Sequence, residues 1–303
     1  MTAFSITPGS RRGAAAMEHA AIKGRSLWDD ARRRLFRNKA AVASIIVLGL
    51  LVVLAVIGPY LAPFRYDEIN KNDVWVGPLT GAHLIGTDSL GRDLFARLLI
   101  GLRVSLAVGV VATVVSLVIG VAWGATAGYL GGRVDEAMMR FVDVLYSLPF
   151  IFFVILLMVA FGSNFILIFV AIGAVEWLTM SRIVRGQTLT LKQKEFVEAA
   201  RAAGLRRGAI IGRHIVPNLL GPVVVYVTLT IPAVILAESF LSFLGLGVQP
   251  PMASLGTLIA NGAQDMELAP WLLIFPSLVM VVTLMSFNFI GDGLRDAIDP
   301  KDR

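Results

Sequence analysis

Hydrophobic positions in this chain come in long unbroken blocks, not in the alternating or one-sided patterns of a soluble protein. Ala40–Phe64 carries no charged residue, and neither does Val104–Gly132. Spanning a bilayer core of about 30 Å takes roughly 20 apolar residues, because a helix rises about 1.5 Å per residue. These two blocks therefore predict the first and second spans. Val144–Val175 is also uncharged but too long for one upright helix. The polar interruption Gly162-Ser163-Asn164 divides it into a third span, Arg140–Phe161, kinked at Pro149, and a fourth, Phe165–Met180. Leu219–Ala237, with Pro222 and Pro232 inside it, predicts the fifth span and Pro270–Ile290 the sixth. The fold class that follows is all-α: a polytopic membrane bundle of six transmembrane helices. Within the second span, Gly109, Gly120, Gly124 and Gly128 include close helical spacings that let backbones approach in lipid.

Composition agrees. Apolar residues make up 56% of the chain, charged residues 16%, and the mean hydropathy is +0.77. Soluble domains run nearer one half and one quarter. The chain has no cysteine, which excludes disulfides, thiolate catalysis and cysteine metal sites. A net charge of +6 in a soluble chain could suggest nucleic acid; in a membrane protein it marks the cytoplasmic side. On the six-span reading, Arg65, Lys71, Arg92, Arg97 and Arg103 fall on one side and all other Lys and Arg on the opposite one. The positive-inside rule then places both termini in the cytoplasm. The first forty residues do not read as a cleavable signal, because no apolar core directly follows Arg11 and Arg12. Leu27–Arg37 predicts a short amphipathic helix at the membrane surface.

The loop between the fourth and fifth spans is long for this chain. Phe196, Ala199, Ala200 and Ala203 fall at i, i+3, i+4 and i+7 and predict one small apolar face on a short helix. Glu198 stands within helical reach of Lys194 and Arg201. Gly204 suits a helix stop, since glycine accepts the left-handed conformation. A second short helix is predicted over Arg206–His214, ended by Pro217 through its effect on Val216. Such a helix pair fits either a groove on another protein or a layer on the lipid headgroups.

At these residues the sequence resembles the permease subunits of ATP-binding cassette importers. That family carries Glu-Ala-Ala, three residues, Gly, nine residues, then Ile-x-Leu-Pro, matched here by Glu198-Ala199-Ala200, Gly204 and Pro217, with His214 and Val216 in the isoleucine and leucine positions. Three further stretches are similar to its dipeptide, oligopeptide and nickel branch, in the C-type subunit. They are Gly86–Asp93 (GTDSLGRD), Glu238–Gly247 (ESFLSFLGLG) and Asn288–Pro300 (NFIGDGLRDAIDP). The likeness covers Leu84–Pro300. Leu205-Arg206-Arg207 departs from it, because relatives often have small residues after the glycine. The resemblance implies a second, homologous permease, two cytoplasmic ATPase subunits carrying ATP and Mg, and an extracytoplasmic substrate-binding protein, in a bacterial or archaeal cytoplasmic membrane. It implies ATPase coupling through Phe196, Glu198, Ala199, Ala200, Arg201, Gly204, Leu205 and Pro217. The organisation expected is a basic tail at 1–39, the first span at 40–64, and an extracytoplasmic segment at 65–103. A core permease at 104–291, with its coupling loop at 186–218, and a tail at 292–303 complete it.

No phosphate-binding loop is present, so ATP hydrolysis belongs on a partner rather than on this chain, which is expected to be no enzyme and to bind no cofactor. His19, His83 and His214 lack metal-ligand spacing. Glu238, at the outer end of the fifth span, is either a pathway residue or a helix-end carboxylate facing water or bonding backbone. Asp265 and Glu267, in the outer loop Gly245–Ala269, are the other candidates for a pathway or gate. Asp143 is expected to pair with Arg140, and Asp88, Arg92 and Asp93 to hold the approach to the second span. A secondary transporter is disfavoured by the absence of an internal repeat. An intramembrane protease is disfavoured because no histidine lies in a predicted span core.

Overall fold

The computed structural model describes residues 27–161 and 165–298. The basic residues Arg11, Arg12, Lys23 and Arg25, the Gly162-Ser163-Asn164 interruption and residues 299–303 lie outside that range. Among the described residues the regular structure is all helix, with isolated bridges at Thr80–His83 and Thr87–Asp93 in the irregular segment 62–93. In chain order the helices are α1 (Leu27–Arg37), α2 (Lys39–Leu61), α3 (Leu94–Leu130), α4 (Gly132–Tyr146), α5 (Phe150–Phe161) and α6 (Phe165–Leu191). They continue with α7 (Glu195–Ala202), α8 (Arg207–Ile210), a π turn (Ile211–Ile215), α9 (Val216–Phe243), α10 (Leu255–Gln264) and α11 (Trp271–Ile298).

α1 has the expected bounds, with Asp29 and Asp30 in its first turn and Arg34 and Arg37 in its last, as the helix dipole favours. It packs against α11 and α2, not only against a membrane surface. The Asn38 side chain caps α2, accepting from the Ala40 and Ala41 N–H groups at 3.1 and 3.2 Å.

α3 is the central helix, packed on α2, α4, α6, α9 and α10. It begins at Leu94, well before the predicted Val104. The Asp93 carboxylate accepts from the Ala96 N–H at 2.7 Å, and the Leu94 N–H donates to the Gly86 carbonyl at 2.9 Å. The two arginines near its start both lie close to acceptors, though the buried Nε and Nη1 of Arg97 form no hydrogen bond. Arg97 is buried 3.5 Å from Asp88, and Arg103 donates to the Ala55 carbonyl at 2.9 Å. Asp88, Arg92 and Asp93 do organise this approach. Asp88 accepts from the Arg92 Nε at 2.8 Å, and Asp93 sits 2.9 Å from the Nδ1 of His83, whose ring stacks on Phe64.

The closest helix pair is α3 with α6, and the glycines of α3 allow it. A Cβ on Gly120 would lie 2.6 Å from the Met180 Cβ, and one on Gly128 2.8 Å from the Thr188 Cβ. At Gly124 it would strike the Ser181 carbonyl oxygen.

The expectation of six regular spans needs correction. Among the described residues, 4 helices are individually long and apolar enough to cross a membrane: α2, α3, the run Arg207–Phe243 and α11. A fifth span would be the pair α4 and α5, but these are bent by 87° rather than gently kinked. Pro149 lacks an N–H and restricts Leu148, so the helix ends at Tyr146 and restarts beyond the proline. The fourth predicted span does not stop at Met180; α6 continues to Leu191 with Glu176, Arg182 and Arg185 inside it. The expected Asp143–Arg140 pair is also absent. Asp143 instead accepts from Arg182 of α6 at 2.7 Å, because it projects from α4 toward α6 rather than along its own helix. The outer loop holds α10, a helix with a full capping box at Ser254 and Thr257, packed against α3, α9 and α11.

Candidate functional site

Between α6 and α9 the chain forms a compact elbow. α7 starts without a side-chain cap at Lys194 and ends at Gly204, whose φ is +78°. The Gly204 N–H donates to the Arg201 carbonyl at 3.0 Å and the Leu205 N–H to the Ala200 carbonyl at 3.2 Å. This paired closure satisfies the last carbonyls of α7 and requires the left-handed residue that glycine supplies.

The apolar face predicted for α7 is rotated from the packed one. Val197 is fully buried and Ala200 nearly so, and they pack with Tyr129, Val184, Ile210 and Ile215. Phe196 is 39% exposed, and Ala199, Ala203 and Gly204 are exposed as well. Of the one small apolar face predicted for docking on a partner or on lipid, Phe196, Ala199 and Ala203 point outward and Ala200 packs inward. Val197, three residues before Ala200, was the missed signal. Helix α7 is thus held to the bundle by Val197 and Ala200 and presents Phe196, Ala199 and Ala203 outward. Arg201 lies over the Tyr129 ring at 5.8 Å, and Glu198 is exposed. A cleft of about 660 Å³ lies beside it, lined by Tyr129, Lys192, Glu198, Arg201, Leu205 and Arg207.

Pro217 does not end a separate second helix. It sits in the first turn of α9, where its missing N–H costs nothing, and α8 runs into α9 through the π turn. The elbow therefore joins a continuous helical run, Arg207–Phe243, of 37 residues.

Glu238 lies inside that run rather than at its end. Its residue exposure is 0%, and its Oε1 accepts from the Ser242 hydroxyl at 2.7 Å. Ser242 stands 3.4 Å from Ser254, the N-cap of α10, and the Ser105 hydroxyl of α3 accepts from the Leu255 N–H at 3.0 Å. The carboxylate therefore faces neither water nor an open path; it sits in a polar seam joining α9, α10 and α3. Asp265 caps the opposite end of α10 and Glu267 is exposed beyond it, so the structure does not bring these three acids together.

On the other side of α9, Ala237 lines a cavity of about 440 Å³ with Tyr146, Ser147, Pro149, Glu176 and Thr179. Glu176 went unremarked in the sequence because it directly follows the uncharged run ending at Val175.

The family comparison gives this arrangement its class. Residues 117–303 match the family described as binding-protein-dependent transport system inner membrane component, and the chain belongs to that family. It is a multi-pass inner-membrane permease subunit of an ATP-binding cassette importer, and ATP hydrolysis lies in the partner subunits of such systems. Residues 26–78 match the N-terminal TM domain of oligopeptide transport permease C. Among individual relatives, the oligopeptide transport system permease protein OppC of Escherichia coli is 57% identical over 287 residues, covering 94% of this chain and 95% of the relative. The OppC of Haemophilus influenzae is 53% identical over 311 residues, covering 100% of both. The dipeptide transport system permease protein DppC of Bacillus subtilis is 46% identical, covering 92% of this chain and 87% of the relative. In fold, the inward-facing MetNI methionine ABC transporter is similar with a TM-score of 0.54 at 19% identity, over 67% of this chain and 96% of that one.

Proposed function

We propose that this chain forms one half of the translocation path of a peptide importer. A homologous permease supplies the other half, two ATPases bind ATP and Mg on the cytoplasmic side, and an extracytoplasmic binding protein delivers the cargo. The observation that carries the peptide cargo is the 53–57% identity, over nearly the whole chain, to relatives named oligopeptide permeases. Orientation follows from charge: both termini lie in the cytoplasm, because the loop holding α7 and the N-terminal segment carry most Lys and Arg.

In this reading α7 is the coupling element. Phe196, Ala199 and Gly204 meet an ATPase cleft, and Glu198 and Arg201 flank the contact. Ala200 and Leu205 hold the helix to the permease, and Pro217 starts the run that receives the motion. Closure of the ATPases displaces α7, and the π turn passes that displacement to α9. The exposure of Phe196 and Ala199 beside the burial of Val197 supports this division of roles.

The chain has no cysteine, so single-cysteine crosslinking is clean. With Ala199→Cys or Gly204→Cys, a crosslink to an ATPase subunit is expected in the assembled complex, and it should change with nucleotide. An intact complex that never crosslinks from either position, while transporting peptide, would remove α7 as the coupling element. A wild-type complex that transports no peptide would remove the cargo assignment.

A further inference from the structure

Glu176 lies within α6, ahead of the arginines at the cytoplasmic end of that helix. It is half-buried and has no ion pair among the described residues. The nearby arginines are engaged elsewhere. Arg182 bonds Asp143 at 2.7 Å and lies 4.2 Å from the Tyr146 ring, and Arg185 bonds Asp135. On the sequence expectation that α6 begins as the fourth span, an acid in it is costly without a partner and marks a place where a cation is expected.

Two further features locate that cation. Glu176 opens onto the cavity of about 440 Å³, within the range of about 300–1,000 Å³ common for small-ligand sites. The same cavity is walled by the break between α4 and α5, at Tyr146, Ser147, Leu148 and Pro149. Irregular backbone at membrane depth is tolerated where protein buries it or where it lines a cavity filled by water or solute. Broken helices beside a charged group are also where transporters hold their solutes.

We infer that this cavity is a subsite on the translocation path for a cationic side chain of the cargo, a Lys ammonium or Arg guanidinium, with Glu176 as its counter-ion. The inference rests on the peptide-import reading, since peptides carry such groups on Lys and Arg side chains. Ser147 and Thr179 add neutral oxygens to the cavity wall, and Ala237 places it beside α9, the helix joined to the coupling elbow. Glu238, fully buried on another side of α9, does not line this cavity.

The test uses the complete complex, with its ATPases and binding protein, in proteoliposomes. Uptake is compared for peptides of equal length that carry Lys, Ala or Asp at one position. Affinity of the binding protein for each is measured separately, so that delivery can be divided out. For Glu176→Gln the Lys-to-Ala uptake ratio is expected to fall about fivefold, the scale of one lost charge-assisted contact. Glu176→Lys should lower it further and raise uptake of the Asp peptide. Equal loss for Lys and Ala peptides would overturn the inference and assign Glu176 to packing or to an ion pair with the partner permease. An unchanged ratio at full uptake would overturn it too. Absence of any peptide uptake by the wild-type complex would bring down the peptide-import reading itself, and this inference with it.

Discussion

Asp135 of α4 accepts from two of the three guanidinium nitrogens of Arg185 on α6, Nε at 2.5 Å and Nη2 at 2.7 Å. Asp135 is nearly buried and Arg185 only partly so. This bidentate pair pins the bent helix to the one packed along α3, and geometry of this kind separates it from ordinary surface pairs. Asp135→Ala is expected to lower stability by about 1–3 kcal/mol, since a charged partner is left behind. Thermal unfolding of the detergent-solubilised permease measures it. The exchange Asp135→Arg with Arg185→Asp should recover part of the loss, and no recovery would point to packing instead of charge.

Gly204→Glu is expected to leave the protein in the membrane while separating ATP hydrolysis from uptake. A side chain at φ +78° is strained by roughly 1–2 kcal/mol, and the added carboxylate stands on the exposed side of α7. Gly204→Asn, which tolerates the left-handed region better, should retain more uptake. Parallel assays of ATP hydrolysis and peptide uptake decide this; normal uptake by the Glu variant would count against coupling through this turn.

Ser242→Ala deletes the donor that meets the Glu238 carboxylate and leaves a buried acceptor bare. A loss of about 1–3 kcal/mol is expected in thermal unfolding. Glu238→Gln keeps an oxygen for Ser242 and is expected to cost less than about 1 kcal/mol. If Glu238→Gln instead abolished uptake at normal stability, Glu238 would have to act on cargo and not as a joint between α9 and α10.

Gly124→Leu is expected to force α3 and α6 apart, because any Cβ there meets the Ser181 carbonyl and the Arg185 N–H. Such overpacking costs typically about 1–3 kcal/mol, and here it acts on backbone that has no free rotamer to yield. Gly49→Leu is the control, with nothing of this chain within 4 Å of an added Cβ. Comparing the yield of folded permease for the two variants tests the assignment.

Much of this architecture was legible in the sequence because uncharged blocks and small-residue spacing survive folding unchanged. The bounds of α1, the α3 glycine seam and the stop at Gly204 all follow from local chemistry. Helix ends were misread wherever tertiary partners neutralise a charge. Arg97 and Arg103 ended the hydropathy block, yet Asp88 and the Ala55 carbonyl let α3 run through them. The side of α7 that packs on the bundle was not read from the sequence, because alanine gives little contrast between a packed side and an exposed one. Val197 was the stronger marker. Pro217 misled because the same residue that stops a helix from before also starts one well. Glu176 was hidden by its position at the margin of an apolar block, and only the fold shows that it lines a cavity.

If α7 couples as proposed, the run Arg207–Phe243, with its π turn and with Pro222 and Pro232 inside it, is the lever that carries the motion. At about 1.5 Å per residue it is ~55 Å long. Rocking it by roughly 10° about its midpoint would swing each tip by about 5 Å. On that proposed coupling, a displacement of α7 would be felt at the other end of the run, where Ser242 meets the cap of α10. An extra half-turn or a glycine hinge spliced in at Ile211–Ile215 would let the lever flex, and the stroke would be spent before it arrived.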